Sequence, residues 1–162
     1  MKKSSLLFLM ILIITIHAVG QINDSKIRTQ VLQLGKTDSL FIFGKWNEKG
    51  ETETHLRYLG KILTNKGKTI KIINSTWFWG LSHHATSRIL VFDDKNRYLG
   101  NYYMWSPDEL PTKLVGKTIF FSNTNTYNHS TPKISFAKGI PKEFFVENNG
   151  KYGNSYNFDS SF

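Results

Sequence analysis

From Ser39 onward, glycine, asparagine, aspartate and proline repeatedly cut the chain, and the runs between the cuts are rich in β-branched and aromatic residues. That punctuation leaves no room for long helices and is the pattern of short strands joined by turns. "SLFIFGKW" reads as a strand and "KWNEKGET" as the turn after it. "ETETHLRYLGKIL" and "KTIKIINSTWFW" read as strands joined by "TNKG", where Gly67 supplies a positive φ at low cost. "SRILVFDDKNRYLGNYYMW" is the clearest hairpin, with "DDKN" as its tight turn. "SPDELPTKL" is a loop held open by Pro107 and Pro111, and "KTIFFSN", "KISFA", "EFFVE" and the tail after "NNGKYG" supply the last strands. The stretch "DSKIRTQVLQLGK" fits a helix or a strand and is read as a strand. The expected fold is all-β: a single-domain antiparallel β-sandwich or small barrel of about seven to nine strands.

That domain is expected over residues 21–162, because "MKKSSLLFLMILIITIHAVGQ" has the form of a cleavable signal peptide covering residues 1–20. Lys2 and Lys3 form a positive start, and Leu6 to Ile16 is an apolar run. The run falls short of the roughly 20 residues that span a bilayer. Ala18 and Gly20 are the small residues of a cleavage site before Gln21. With no cysteine in the chain, lipid attachment at the cut and disulfides are both excluded, so stability must come from a packed core. The expected product is secreted or periplasmic, bacterial in character, with no transmembrane segment after cleavage.

Loss of Lys2 and Lys3 leaves 19 basic against 12 acidic residues, a formal charge of +7. The charge is scattered. Its densest run, "KILTNKGKTIK" with Lys61, Lys66, Lys68 and Lys71, reads as a solvated hairpin tip, and nucleic acid is not an expected partner.

Residues 75–88, "STWFWGLSHHATSR", are the densest concentration of chemistry. Alternation along the strand puts Ser75, Trp77 and Trp79 on one face and Asn74, Thr76 and Phe78 on the other. With the tryptophans inward, they are large core residues. With Phe78 inward, they stand together as a flat platform. Joined by His83, His84, Tyr102, Tyr103 and Trp105, such a platform offers planar apolar surface to a carbohydrate or another small ligand, with Asn74, Asn101 and Ser82 as polar contacts. His83 and His84 are adjacent, so they share one face only if "GLSHHATS" is a loop, which Gly80 and Ser82 suggest.

Glu51, Glu53, His55 and Arg57 recur at period two in "ETETHLRY", which gathers carboxylates and an imidazole on one strand face. The same spacing also describes a solvent-facing strand. No HExxH, nucleophile elbow or phosphate loop accompanies it, and His129 sits in a polar loop. "NST" at Asn74 and "NHS" at Asn128 are read as chance matches to the glycosylation pattern.

The expectation is therefore a binding or interaction protein rather than an enzyme, without metal or cofactor, whose partner is a carbohydrate or another protein. One alternative is a hydrolase or metal-dependent enzyme using Glu51, Glu53, His55 and the His83/His84 loop. Another is a structural envelope or assembly component. Expression of the full chain in a bacterial host should release a product that begins at Gln21, as N-terminal mass analysis would read. Retention of residues 1–20 on a membrane fraction would overturn the expectation of a soluble product.

Overall fold

A computed structural model describes residues 22–122, 131–148 and 152–160; the predicted signal peptide and His129 lie outside them. Strand dominates. Five strands follow one another as a meander: β1 (Leu40–Gly44), β2 (Glu53–Leu63), β3 (Thr69–Trp79), β4 (His84–Asp93) and β5 (Tyr98–Met104). Three short strands, β6 (Lys113–Val115), β7 (Thr118–Phe120) and β8 (Lys133–Ser135), then form a separate antiparallel sheet. The chain returns as β9 (Glu143–Asn148) and β10 (Tyr152–Asp159), and β10 adds to β5. The large sheet has the order β1-β2-β3-β4-β5-β10-β9, all antiparallel, and neither sheet closes on itself among the described residues.

One segment departs from the sequence expectation. The stretch 24–36, read as a strand, lies largely in a helix, α1 (Ile22–Leu34). Ile27 and Val31 stand four apart and so share a helical face. Arg28 pairs with Asp24 across one turn, and Gly35 at φ 60° ends the helix with its N–H on the Val31 carbonyl at 3.2 Å. A single apolar stripe this short carries little periodic signal, and the helix owes its place to the sheet beneath it.

Both faces of the large sheet are buried in its middle. Leu56, Tyr58, Ile73, Leu90 and Phe92 pack under Val31 and Leu32 of α1. On the opposite face Ile62, Ile70, Ile72, Ile89, Val91 and Tyr102 pack with Ile119, Phe121 and Phe136 from the small-sheet region. In β3 the switch of face between Ile72 and Ile73 is simple alternation. In β2 a bulge between Tyr58 and Gly60 reverses the alternation, so Tyr58 faces α1 while Ile62, four positions on, faces the other side.

The turns follow the sequence chemistry. Gly67 has φ 74° in the β2–β3 turn, where the Thr64 hydroxyl accepts from the Lys68 N–H at 3.0 Å. Lys61, Lys66 and Lys68 are exposed there, while Lys71 donates to the Asn96 side chain at 2.5 Å. In the β4–β5 turn Asp93 accepts from the N–H groups of Lys95 (2.9 Å) and Arg97 (2.8 Å). Burial opposes the charge on Asp93, but those bonds and the Arg97 side chain outweigh it and hold the carboxyl below its ordinary range.

Gly100 sits where β10 meets β5, with φ 140°, and a Cβ there would lie 2.3 Å from the Asp159 carbonyl oxygen and 2.6 Å from Phe158. At Gly67 a Cβ would meet nothing within 4 Å. Gly100→Ala should therefore destabilise by at least about 2 kcal/mol, from overpacking and backbone strain together. Gly67→Ala should cost about 1 kcal/mol, from the left-handed backbone alone. Thermal denaturation of the two variants compares them directly, and equal losses would mean that the β5–β10 junction is not tightly packed.

Candidate functional site

The covers of the large sheet run out at the β3–β4 hairpin, and the residues singled out in the sequence lie there, divided between two faces. "GLSHHATS" is less of a loop than expected. Trp79 pairs with His84 in register, so only residues 80–83 turn, and β4 begins at His84. His83 takes a left-handed backbone at φ 53°, a conformation uncommon outside glycine. Its ring turns back onto one face while His84 points to the other, and the two imidazoles do not converge.

On the α1 side of the sheet, Trp77 and Trp79 stack with centroids 5.5 Å apart and planes 21° from parallel. Each is 37% exposed. His84 lies against Trp79 at 5.0 Å, and the Trp79 indole N–H donates to the Thr86 hydroxyl at 3.0 Å. The strand register sets Thr86 beside Trp77, and Arg88 between Ser75 and Tyr103. The Arg88 guanidinium sits 4.9 Å from the centre of the Tyr103 ring, a cation–π contact. Tyr103 is 52% exposed, and Trp105, one residue past β5, is 78% exposed. Two stacked indoles and one imidazole thus lie together at one end of the sheet, with Thr86 beside them and the Arg88–Tyr103 pair on the same face.

Tyr102 does not join them. Neighbours on a strand face opposite ways, so it points into the other core, fully buried, with its hydroxyl donating to the Pro141 carbonyl at 2.5 Å. Burial raises its pKa far above the ordinary phenol range. Of the polar residues expected beside the platform, Ser82 is an exposed turn residue, Asn101 is buried with its side-chain oxygen accepting from the Tyr98 hydroxyl at 2.7 Å, and Asn74 lies on the opposite face. Asn74 is 6% exposed, and its amide donates to the Pro111 carbonyl at 2.7 Å, which leaves no room for a glycan in the folded chain.

On that opposite face a second cluster forms. Glu53, His55 and Arg57 lie on one side of β2, as their spacing requires, opposite Phe78, Thr76 and Asn74 of β3. Glu51 stays outside the group: it precedes β2 and accepts from the Asn47 side chain at 2.7 Å as part of the turn. His55 Nε2 and Glu53 Oε1 are 2.5 Å apart, and the other Glu53 oxygen accepts from the Trp46 N–H at 3.2 Å. His83 closes the cluster, 4.2 Å from Trp46 and 4.8 Å from Phe78 between ring centroids. Sequence reasoning missed Trp46. Its indole N–H donates to the Gly80 carbonyl at 2.8 Å, a contact between residues 34 positions apart that no local pattern announces. Among the described residues no group of three or more His, Cys, Asp or Glu side chains is placed to hold a metal ion.

Comparisons with protein-family models, curated proteins and solved structures return no match to this chain.

The hydrogen bond from His55, followed by that from the Trp46 N–H, holds the Glu53 carboxyl below its ordinary value of 4.5. A depressed folded-state pKa means that the group stabilises the fold above the unfolded value, and that this contribution disappears as pH falls through the folded value. Carbon-detected NMR should therefore place the Glu53 midpoint below 4.5 and show it rising in His55→Ala. A midpoint at 4.5 or above that ignores the substitution would remove the pair as an electrostatic unit.

Proposed function

We propose that the protein is an exported, single-domain binding protein, a lopsided β-sandwich in which the small sheet covers part of the large one, and that it takes a carbohydrate on the aromatic end of the sheet. The observation that carries this reading is the stacked Trp77–Trp79 pair, more than a third exposed on a face where the cluster beneath α1 ends at Leu56 and Ile73. Indole rings at a flat sheet surface match the C–H faces of pyranose rings, which pack on aromatics by dispersion and weak C–H contacts. The hydroxyl of Thr86, the imidazole of His84 and the guanidinium of Arg88 border the rings and supply the polar contacts that orient a ligand. An exposed apolar patch rimmed by polar groups is the usual form of an interaction surface. No helix among the described residues is long and apolar enough to cross a membrane. The leader-like start of the sequence supports export.

The Glu53–His55 pair favours a second reading, an exported hydrolase in which a carboxylate-oriented imidazole acts as general base. Its mark would be glycan hydrolysis that is lost in His55→Ala and kept in Trp77→Ala, since the pair lies on the face opposite the indoles.

Trp77→Ala and Trp79→Ala should each weaken retention on polysaccharide columns at least tenfold while costing well under the roughly 3–5 kcal/mol of a fully buried aromatic. Phe78→Ala, on the other face, should keep binding. If both tryptophan variants unfold, or if all three bind alike on a glycan array, the platform has no such role.

A further inference from the structure

A different site lies on the face opposite the indoles. There β1, β2 and β3 and the segment between β5 and β6 border a cleft of about 370 Å³, a size within the range of small-molecule pockets. Its apolar lining comes from Leu40 on β1 and from Pro107, Leu110 and Pro111 in the segment between β5 and β6. The floor is polar and follows the register of the sheet, with His55 opposite Thr76 and Arg57 opposite Asn74. Asp108 adds a carboxylate at the margin.

The segment that carries the prolines is held in place by contacts within the fold. Glu109, in the short 3₁₀ turn Pro107–Glu109, accepts from the Tyr156 hydroxyl at 2.5 Å, the Asn154 amide at 3.0 Å and the Trp105 N–H at 3.2 Å. From the other side Asn74 Nδ2 donates to the Pro111 carbonyl at 2.7 Å. The segment is pinned at both ends.

That second tie fixes the Asn74 amide, since exchanging its oxygen and nitrogen would set two oxygens against each other. Oδ1 is left buried without a partner, and so is Arg57 Nε on the strand beside it. Buried polar atoms are normally paired, and two orphans at facing register positions, one acceptor and one donor, form an incomplete hydrogen-bonding set. The Arg57 side chain is 39% exposed and carries a 3.7 Å ion pair with Asp38, while its Nε is buried, so a ligand reaches the two orphan atoms by displacing this side chain.

We propose that this cleft binds a small neutral polyhydroxylated ring of monosaccharide size. A hydroxyl is the group that accepts from Arg57 and donates to Asn74 Oδ1 at the same time, and a vicinal pair of hydroxyls reaches both atoms. Arg57 and Asp108 oppose each other in charge, and Asp38 stands beside Arg57, so the site carries no surplus positive charge to select an anion. The proline and leucine lining receives the C–H face of the ring. This site shares no residue with the aromatic platform and stands or falls separately from it.

Two-dimensional amide NMR of labelled protein, purified after expression of the full chain, tests this with D-glucose, D-galactose, D-mannose, L-alanine and acetate as probes. At least one sugar should shift the amides of His55, Arg57, Thr76 and Thr112 saturably, and do so to the same extent in Trp79→Ala. Arg57→Met and Asp108→Asn should each weaken that response at least tenfold while keeping the native spectrum; Asn74 is left unaltered because it also anchors Pro111. The proposal is overturned if no sugar moves these amides, which would mean a cleft holding water alone. It is equally overturned if L-alanine or acetate moves them and the sugars do not, if both folded variants respond like the native chain, or if Trp79→Ala abolishes the response.

Discussion

Burial of the central strands on both faces is the constraint from which the rest of this structure follows. Ile72 and Ile73 on β3, and Ile89 and Leu90 on β4, are consecutive residues that point opposite ways and are all fully buried. A sheet with two apolar faces needs two covers, because each uncovered face would leave large side chains in water. The helix α1 supplies one cover and the β6–β8 sheet with its flanking loops supplies the other. The insertion between β5 and β9 is therefore part of the core.

Where the covers stop, the same alternation that built the core sorts functional groups. At the β3–β4 hairpin, successive residues Trp77, Phe78 and Trp79 go to opposite sides, and so do His83 and His84. One end of the sheet thereby carries two surfaces of different character: a flat aromatic one beyond α1, and a polar one that runs from the Glu53–His55 pair into the cleft walled by Pro107 and Pro111. The strained His83 backbone is what joins them, since it lets the turn close while its ring packs between Trp46 and Phe78.

Most strands were legible because their turn residues and β-branched runs act locally, and the assignment of Trp77 and Trp79 to one face and Phe78 to the other follows from period two alone. What alternation cannot say is which face a cover will occupy, so it left open whether the indoles or Phe78 were exposed. It does forbid grouping Tyr102 with Tyr103, and the buried Tyr102 shows the force of that rule. The helix was missed because Ile27 and Val31 give one stripe that fits either period. Trp46, the Glu109 anchor and the tie from Asn74 to Pro111 were invisible for another reason: the partners Gly80, Tyr156 and Pro111 are brought near only by the finished topology.

The position of β10 beside β5 has a temporal meaning. The meander from β1 to β5 joins neighbours in sequence and forms through short loop closures as soon as its residues are available. The outer edge of β5, however, is completed by the last described strand of the chain, after the whole β6–β8 insertion. Until then that edge offers unpaired backbone groups to any passing strand. A chain that becomes available N-terminus first, as in synthesis, presents its strands in this order, with those of the meander free to pair before the closing strand exists. Gly100, with no side chain to hold a strand off, lets β10 come close enough to cover that edge once it arrives.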